Sequence, residues 1–316
     1  MTNGHPGKPV RPLGFRRYAA NYLGLLPFFA LFIAFVLIPL VQGVLMSFTD
    51  WSTKLRGGTH FTGLTNYIYI LTSGGTSSQR FLKSIVNLLI YVPTTVTIGL
   101  TISLILALIV NQFTGRQHGF FRGSFFVPTV LPLFLCTGIW QWYLNSETGL
   151  VASTLARIGI GNGITWSQTP GYAIAVCVII DIWHAVGFNF VIMSAGIQDI
   201  SPDYYEAAEI DGATTWQQMR YITLPLLEPI LFFVITYAFI SALQVYDIPR
   251  ILTQDTNPNS IGGPNQVMLF PVMEMVRNLH SGDKAGLGRA CCEGVMLMLM
   301  IMLVTAFQFR RRRKKV

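Results

Sequence analysis

The stretch SIVNLLIYVPTTVTIGLTISLILALIV, Ser84–Val110, is continuously apolar. It is longer than the roughly 20 residues a helix needs to cross a bilayer. Five other runs share its character: Tyr22–Phe48, Ser124–Leu144, Gly171–Ile197, Pro229–Ile248 and Ala290–Phe309. None alternates in the segments of about 10 residues that mark barrel strands. Composition agrees: 52% of residues are hydrophobic and 11% charged, against about 25% charged in a soluble domain. Mean hydropathy is +0.50. The fold class expected is an all-α integral membrane protein with six transmembrane helices. Pro39, Pro93 and Pro132 fall inside the runs, where neighbouring helices and water can satisfy the freed backbone groups. The first run follows Arg16 and Arg17, as a signal peptide would, but exceeds the 7–15 apolar residues of a signal. It reads as a retained first span.

Net charge is +8, and its placement argues for topology rather than nucleic-acid binding. Lys8, Arg11, Arg16 and Arg17 precede span one, and Arg310, Arg311, Arg312, Arg313, Lys314 and Lys315 follow span six. Arg116 and Arg122 flank the short loop between spans two and three. The excess of Lys and Arg on the cytoplasmic side puts both termini in the cytoplasm, as an even number of spans requires. The expected division is a cytoplasmic N-terminal tail over 1–21, the transmembrane domain over 22–309 and a basic cytoplasmic tail over 310–316. That tail faces anionic lipid heads. Cys136, Cys177, Cys291 and Cys292 lack the spacing of a zinc site and read as small packing residues. No metal site and no catalytic set is expected.

One cytoplasmic stretch between spans four and five is polar and acidic: EAAEIDGATTWQQMRYITLP, Glu206–Pro225. Ser201 suits an N-cap and Pro202 the first helical residue. Asp203 and Glu206 suit the positive end of a helix dipole. The helix is expected to run to about Asp211, with Gly212 breaking it. Thr214 or Thr215 then caps a second helix, stopped before Pro225. Asp199, Asp203, Glu206, Glu209, Asp211 and Glu228 face only Arg220, which invites a basic partner. The residues alone leave two readings open: an amphipathic hairpin packed under its own bundle, or a docking element.

This stretch resembles the signature of permease subunits of binding-protein-dependent ABC importers. Glu206, Ala207 and Ala208, then Gly212, then Ile222, Leu224 and Pro225 stand at the family's spacing, and Asp211–Ala213 reads DGA, as in its carbohydrate branch. FTGLTNY at Phe61–Tyr67 and the GGP of the segment ILTQDTNPNSIGGPN, Ile251–Asn265, match further elements of that branch. The likeness runs from about Phe15 to Phe309 and is strongest to the maltose- and glycerol-phosphate-type permeases. It implies that the segment Glu206–Pro225 is a coupling helix that docks on a cytoplasmic ATPase through Glu206, Ala207, Ala208, Asp211, Gly212, Ile222, Leu224 and Pro225. It implies four kinds of partner: a second, different permease subunit, two ABC ATPase subunits that bind ATP and magnesium, an external substrate-binding protein, and a sugar. It implies the inner membrane of a bacterium or archaeon. The chain has no GxxxxGK[ST] sequence, so no ATP site and no cofactor of its own is expected.

Ionisable and polar groups inside spans are path candidates by default. Asp181 and His184 share a face of span four. Tyr237, Ser241 and Gln244 do so in span five, and Asn87, Tyr91 and Thr94 in span two. Rings, amides and carboxylates suit a sugar. Asp181 and His184 read equally as a pair that packs the bundle, while Trp140, Trp142, Tyr246 and Asp247 suit the membrane interface. Glycerol-phosphate or another small polar solute is the alternative substrate, but no arginine stands in mid-span to receive phosphate. A stand-alone secondary transporter would show repeated halves, and none is found.

Overall fold

A computed structural model of the chain describes residues 15–51, 59–113, 115–145, 149–159, 169, 171–253, 261–280 and 285–313. Lys8, Arg11, Lys314, Lys315 and the segment QDTNPNS at 254–260 lie outside them. Among the described residues there is no β-strand, only one antiparallel bridge between Thr49 and Phe61. The helices are α1 (Phe15–Phe32, continued through a π turn at Ile33–Leu37 into Ile38–Met46), α2 (Thr65–Thr72), α3 (Thr76–Val110), α4 (Gly115–Val130), α5 (Leu133–Tyr143), α6 (Leu150–Arg157) and α7 (Tyr172–Gln198). They continue with α8 (Pro202–Ile210), α9 (Thr215–Gln218), α10 (Glu228–Leu243), α11 (Asp247–Leu252), α12 (Pro271–His280) and α13 (Gly286–Arg313).

Among the described residues five stretches are long and apolar enough to cross a membrane: Tyr22–Met46, Thr76–Val110, Tyr172–Gln198, Glu228–Leu252 and Gly286–Arg312. The pair α4 and α5, bent by 90°, makes the sixth when taken as one span. Span three is therefore not the single straight helix that Ser124–Leu144 suggests. The core joins Leu88, Tyr91, Val92 and Val96 of α3 to Cys177 and Ile180 of α7.

The prolines explain the irregularities. A proline lacks an N–H and its ring crowds the carbonyl four residues back. Before Pro39 and before Pro225 the chain opens a π turn. Ile38 N–H bonds the Ile33 carbonyl, and Leu224 N–H bonds the Met219 carbonyl, five residues back in each case. A widened turn of this kind accommodates the ring without ending the helix. The expected stop before Pro225 does not occur: helical turns continue over Leu224–Leu226 and into α10. Pro93 is carried within α3 without a break. At Pro132 the backbone turns extended, with φ −57° and ψ 128°, and the span bends.

The described part of the segment at 249–289, expected to be an external loop, also departs from a simple loop. Val267, Met268, Leu269 and Phe270 are in the buried core. Asn87 Nδ2 donates to the carbonyls of Gln266 at 3.0 Å and Leu269 at 2.9 Å. Helix α12 then lies against α13. Glu274 is salt-bridged to Arg277, and Asn278 Nδ2 donates to Glu293 Oε1 at 2.7 Å. The FTGLTNY element closes the end of α1, where Asn66 Nδ2 donates to the carbonyls of Ser47 at 2.9 Å and Thr49 at 2.8 Å. Elsewhere α1 is exposed from Tyr22 to Gln42.

Candidate functional site

Two places gather the residues singled out above, a surface hairpin and a cavity, and α7 runs between them. The hairpin is α8 and α9. Ser201 Oγ accepts from the Asp203 amide at 3.3 Å, and Pro202 opens the helix. At the other end Gly212 has φ +76°. Gly212 N–H reaches the Glu209 carbonyl at 3.0 Å and Ala213 N–H reaches the Ala208 carbonyl at 2.9 Å. This is the Schellman closure, whose left-handed residue favours glycine. Thr214, rather than Thr215, then caps α9 in a reciprocal capping box with Gln217. The Tyr205 hydroxyl meets Thr223 Oγ1 at 2.9 Å and pins α8 to the start of span five.

This hairpin is not packed under the bundle. Glu206, Ala207, Asp211, Gly212 and Pro225 are exposed, while Ala208, Ile222 and Leu224 are half-buried. Ile210 is 87% exposed and Trp216 65%. Large apolar side chains held out from a polar, acidic element are available for contact with a partner. Ile210 and Trp216 are the additions that the signature spacing did not supply.

The cavity, about 310 Å³, opens between α3, α4, α5, α7 and α10. Asp181, His184 and Phe188 line it from one face of α7, Tyr237 and Ser241 from α10, Thr95 and Gly99 from α3, and Thr129 from α4. Asp181 and His184 do not serve as a closed pair. Asp181 Oδ2 accepts from the Tyr91 hydroxyl at 2.7 Å. His184 Nε2 lies 3.1 Å from the Leu131 carbonyl and must donate, since a carbonyl only accepts. That carbonyl is freed by the bend at Pro132, and Thr129 Oγ1 returns a bond of 2.7 Å to the His184 carbonyl. His184 thus braces the bend while lining the cavity. Phe188 and Tyr237 have ring centroids 5.2 Å apart, and Phe233 stacks on Tyr237 at 6.4 Å. A strip of rings runs from the cavity along α10 toward the hairpin end.

Three path candidates do not reach this cavity. Asn87 and Tyr91 are buried, Asn87 clamping the 266–269 segment and Tyr91 standing behind Asp181. Gln244 borders a separate hollow with Val272, Gly294 and Leu297. Helix α10 ends at Leu243 and Gln244 has φ −104° and ψ 17°, so the helical spacing from Tyr237 and Ser241 does not extend to it. Sequence reasoning missed Thr95, Thr129 and Phe188. Thr95 and Gly99 stand four apart on α3, and that small-residue step was the available signal.

Comparison with known proteins places this geometry in context. Residues 68–310 match the family model described as binding-protein-dependent transport system inner membrane component. The trehalose/maltose transport system permease protein of Thermococcus litoralis is 31% identical over 246 residues, covering 76% of this chain and 79% of its own. The lactose transport system permease protein of Rhizobium radiobacter is 30% identical, with coverage of 79% and 80%. The arabinooligosaccharides transport system permease protein of Bacillus subtilis is 28% identical, with coverage of 80% and 78%. A solved bacterial alginate ABC transporter, in complex with an alginate pentasaccharide-bound periplasmic protein, has a chain that superposes with a TM-score of 0.78. It covers 95% of this chain and 96% of its own at 22% identity, a likeness of fold.

Proposed function

Because the chain belongs to the binding-protein-dependent transport system inner membrane component family, we propose that it forms half of the translocation path of an ATP-driven importer for a di- or oligosaccharide. The observation that carries this reading is the cavity. Its lining mixes a carboxylate, an imidazole, hydroxyls and aromatic rings, the groups that meet a sugar's hydroxyl edges and C–H faces. Among the described residues no lysine or arginine lines it, which favours a neutral sugar over glycerol-phosphate. An external binding protein delivers the sugar, a second and different permease subunit supplies the other half of the path, and two cytoplasmic ATPase subunits bind ATP and magnesium. The assembly sits in the inner membrane of a bacterium or archaeon with both termini of this chain inside.

Coupling follows from connectivity. Helix α7 carries Asp181, His184 and Phe188 in the cavity wall and leads directly into α8. ATPase closure acts on the exposed hairpin, and a contact that differs between two ATPase states shifts the bundle between two conformations. Glu206 meets a basic group in the ATPase cleft, and Gly212 sets the direction of α9.

The reconstituted complex should hydrolyse ATP and take up labelled oligosaccharide only when loaded binding protein is present. Uptake by this subunit alone without ATP would identify a secondary transporter instead. A cysteine at Leu64 should label from outside intact cells and one at Gln217 only from inside; outside labelling of Gln217 contradicts the orientation.

Tyr237→Ala should lower uptake about tenfold, the loss of roughly 1.4 kcal/mol of ring contact, while the complex assembles normally. Asp181→Asn keeps an acceptor for Tyr91 and should assemble with changed substrate affinity. Asp181→Ala leaves a buried hydroxyl unpaired, at about 1–3 kcal/mol, and should lose yield first. Equal uptake by wild type and Tyr237→Ala removes Tyr237 from the path.

A further inference from the structure

On a different face of the bundle, a second groove of about 540 Å³ lies between the starts of α3 and α7. Its walls are mostly apolar, with Ile90 and Ile98 from α3 and Val178 and Ile179 from α7; Asn87 also borders it, but its amide N–H groups are spent on the Gln266 and Leu269 carbonyls. Thr94 adds no free polar group, because its hydroxyl donates to the Ile90 carbonyl at 2.7 Å. At the mouth stands Lys83, which is exposed and forms no ion pair among the described residues. Lys83 is also the last charged residue before the apolar run that begins at Ser84. A cation at the boundary of an apolar run suits the membrane interface, where lipid phosphates lie.

We propose that this groove is a binding site for one anionic phospholipid, with its phosphate on Lys83 and an acyl chain along Ile90, Ile98 and Ile179. Length supports the assignment. From Lys83 to Ile98 a helix rises about 22 Å, more than the roughly 15 Å of one leaflet's share of the hydrocarbon core. A whole acyl chain can lie in it. Charge supports it as well. An unpaired cation at the end of an apolar channel complements a ligand with one anionic head and an apolar tail. A zwitterionic lipid brings its own cation to the same place and gains less. The leaflet is the one opposite the hairpin. The site is independent of the sugar cavity and of how that cavity is read.

The test is native mass spectrometry of the assembled transporter from mild detergent, titrated with phosphatidylglycerol or phosphatidylcholine. Wild type should hold one phosphatidylglycerol more tightly than phosphatidylcholine. Lys83→Gln should weaken that binding about fivefold, the equivalent of about 1 kcal/mol for one basic side chain near a lipid surface. It should weaken phosphatidylcholine less, so that the preference for phosphatidylglycerol is lost. Ala175→Trp places a ring in the groove from an exposed position and should remove both lipids. Wild-type phosphatidylglycerol retention by Lys83→Gln overturns the proposal, whatever Ala175→Trp does. High-yield disulfide cross-linking from Val86→Cys to the partner permease also overturns it, since the groove would then be a subunit interface.

Discussion

Gly187→Val is expected to abolish accumulation of the folded subunit in membranes. A Cβ at Gly187 would overlap the Phe125 carbonyl oxygen and lie 3.0 Å from the Phe125 carbonyl carbon and 2.8 Å from Thr129 Oγ1. Two of these atoms are α4 backbone, which cannot move aside as a side-chain tip can. In lipid, helices associate through close packing and interhelical hydrogen bonds rather than through burial from water, and small residues allow that approach. Forcing α4 away from α7 forfeits both terms. It separates Thr129 from the His184 carbonyl and His184 from Leu131, and with them goes the brace of the 90° bend. Overpacking costs about 1–3 kcal/mol where neighbours can relax, and backbone neighbours put this site at or above the upper end. Gly99→Ala is the matched control. Its Cβ would meet only Ile182 Cγ1 at 3.5 Å, an ordinary contact, although Gly99 also lines the cavity. Membrane immunoblots and the thermal stability of the purified complex should show Gly187→Val near zero and Gly99→Ala near wild type. Equal levels for the two would mean that α4 and α7 do not approach each other at Phe125.

The spans were legible because crossing a bilayer demands length and continuous apolarity, and both are visible in a single run. The hairpin was legible for a different reason. Ser201, Pro202, Gly212 and Thr214 act through bonds only a few residues long, so local sequence contains nearly the whole cause. The prolines mark where local sequence stops being sufficient. Pro39 and Pro225 open π turns, Pro93 passes unbroken, and Pro132 bends the chain. What distinguishes Pro132 is His184, more than fifty residues away, which takes up the carbonyl that the bend releases. The burial of Val267–Phe270 was hidden likewise. Four apolar residues are too few to announce a span, and the Asn87 clamp lies far away in sequence. Which path candidates share the cavity follows the same line. Asp181, His184, Tyr237 and Ser241 converge because two helices stay regular there. Gln244 stands beyond the end of α10 and borders a different hollow.

Glu206→Lys and Gly212→Val are each expected to abolish ATP hydrolysis stimulated by the loaded binding protein while leaving the bundle inserted. Glu206 is exposed, so its substitution removes no internal support. On the proposed reading its effect arises on docking. An exposed ion pair is worth only about 0.2–1 kcal/mol, but placing like charges together at a docked surface can cost several, enough to release the ATPase. Gly212 acts through the backbone. A Cβ there meets nothing within 4 Å, so no clash contributes. The cost is the left-handed conformation itself, about 1–2 kcal/mol for an L-residue and more for a β-branched one. Relieving it undoes the two closing bonds from Gly212 and Ala213, and the direction in which α9 leaves α8 goes with them. Gly212→Ala should therefore fall between wild type and Gly212→Val. Ile210→Ala should weaken docking without altering either charge or backbone, because it removes the most exposed apolar side chain of the hairpin. Co-purification of the ATPase with each variant, followed by the stimulated assay, separates lost docking from lost signalling. Full co-purification and wild-type stimulated turnover in both Glu206→Lys and Gly212→Val would reduce the hairpin to a surface feature. The same result would remove the hairpin as the link between α7 and ATP, and would leave the bonds from Ser194 and Gln198 at the end of α7 to Asn111 and His118 as the remaining connection on that side of the bundle.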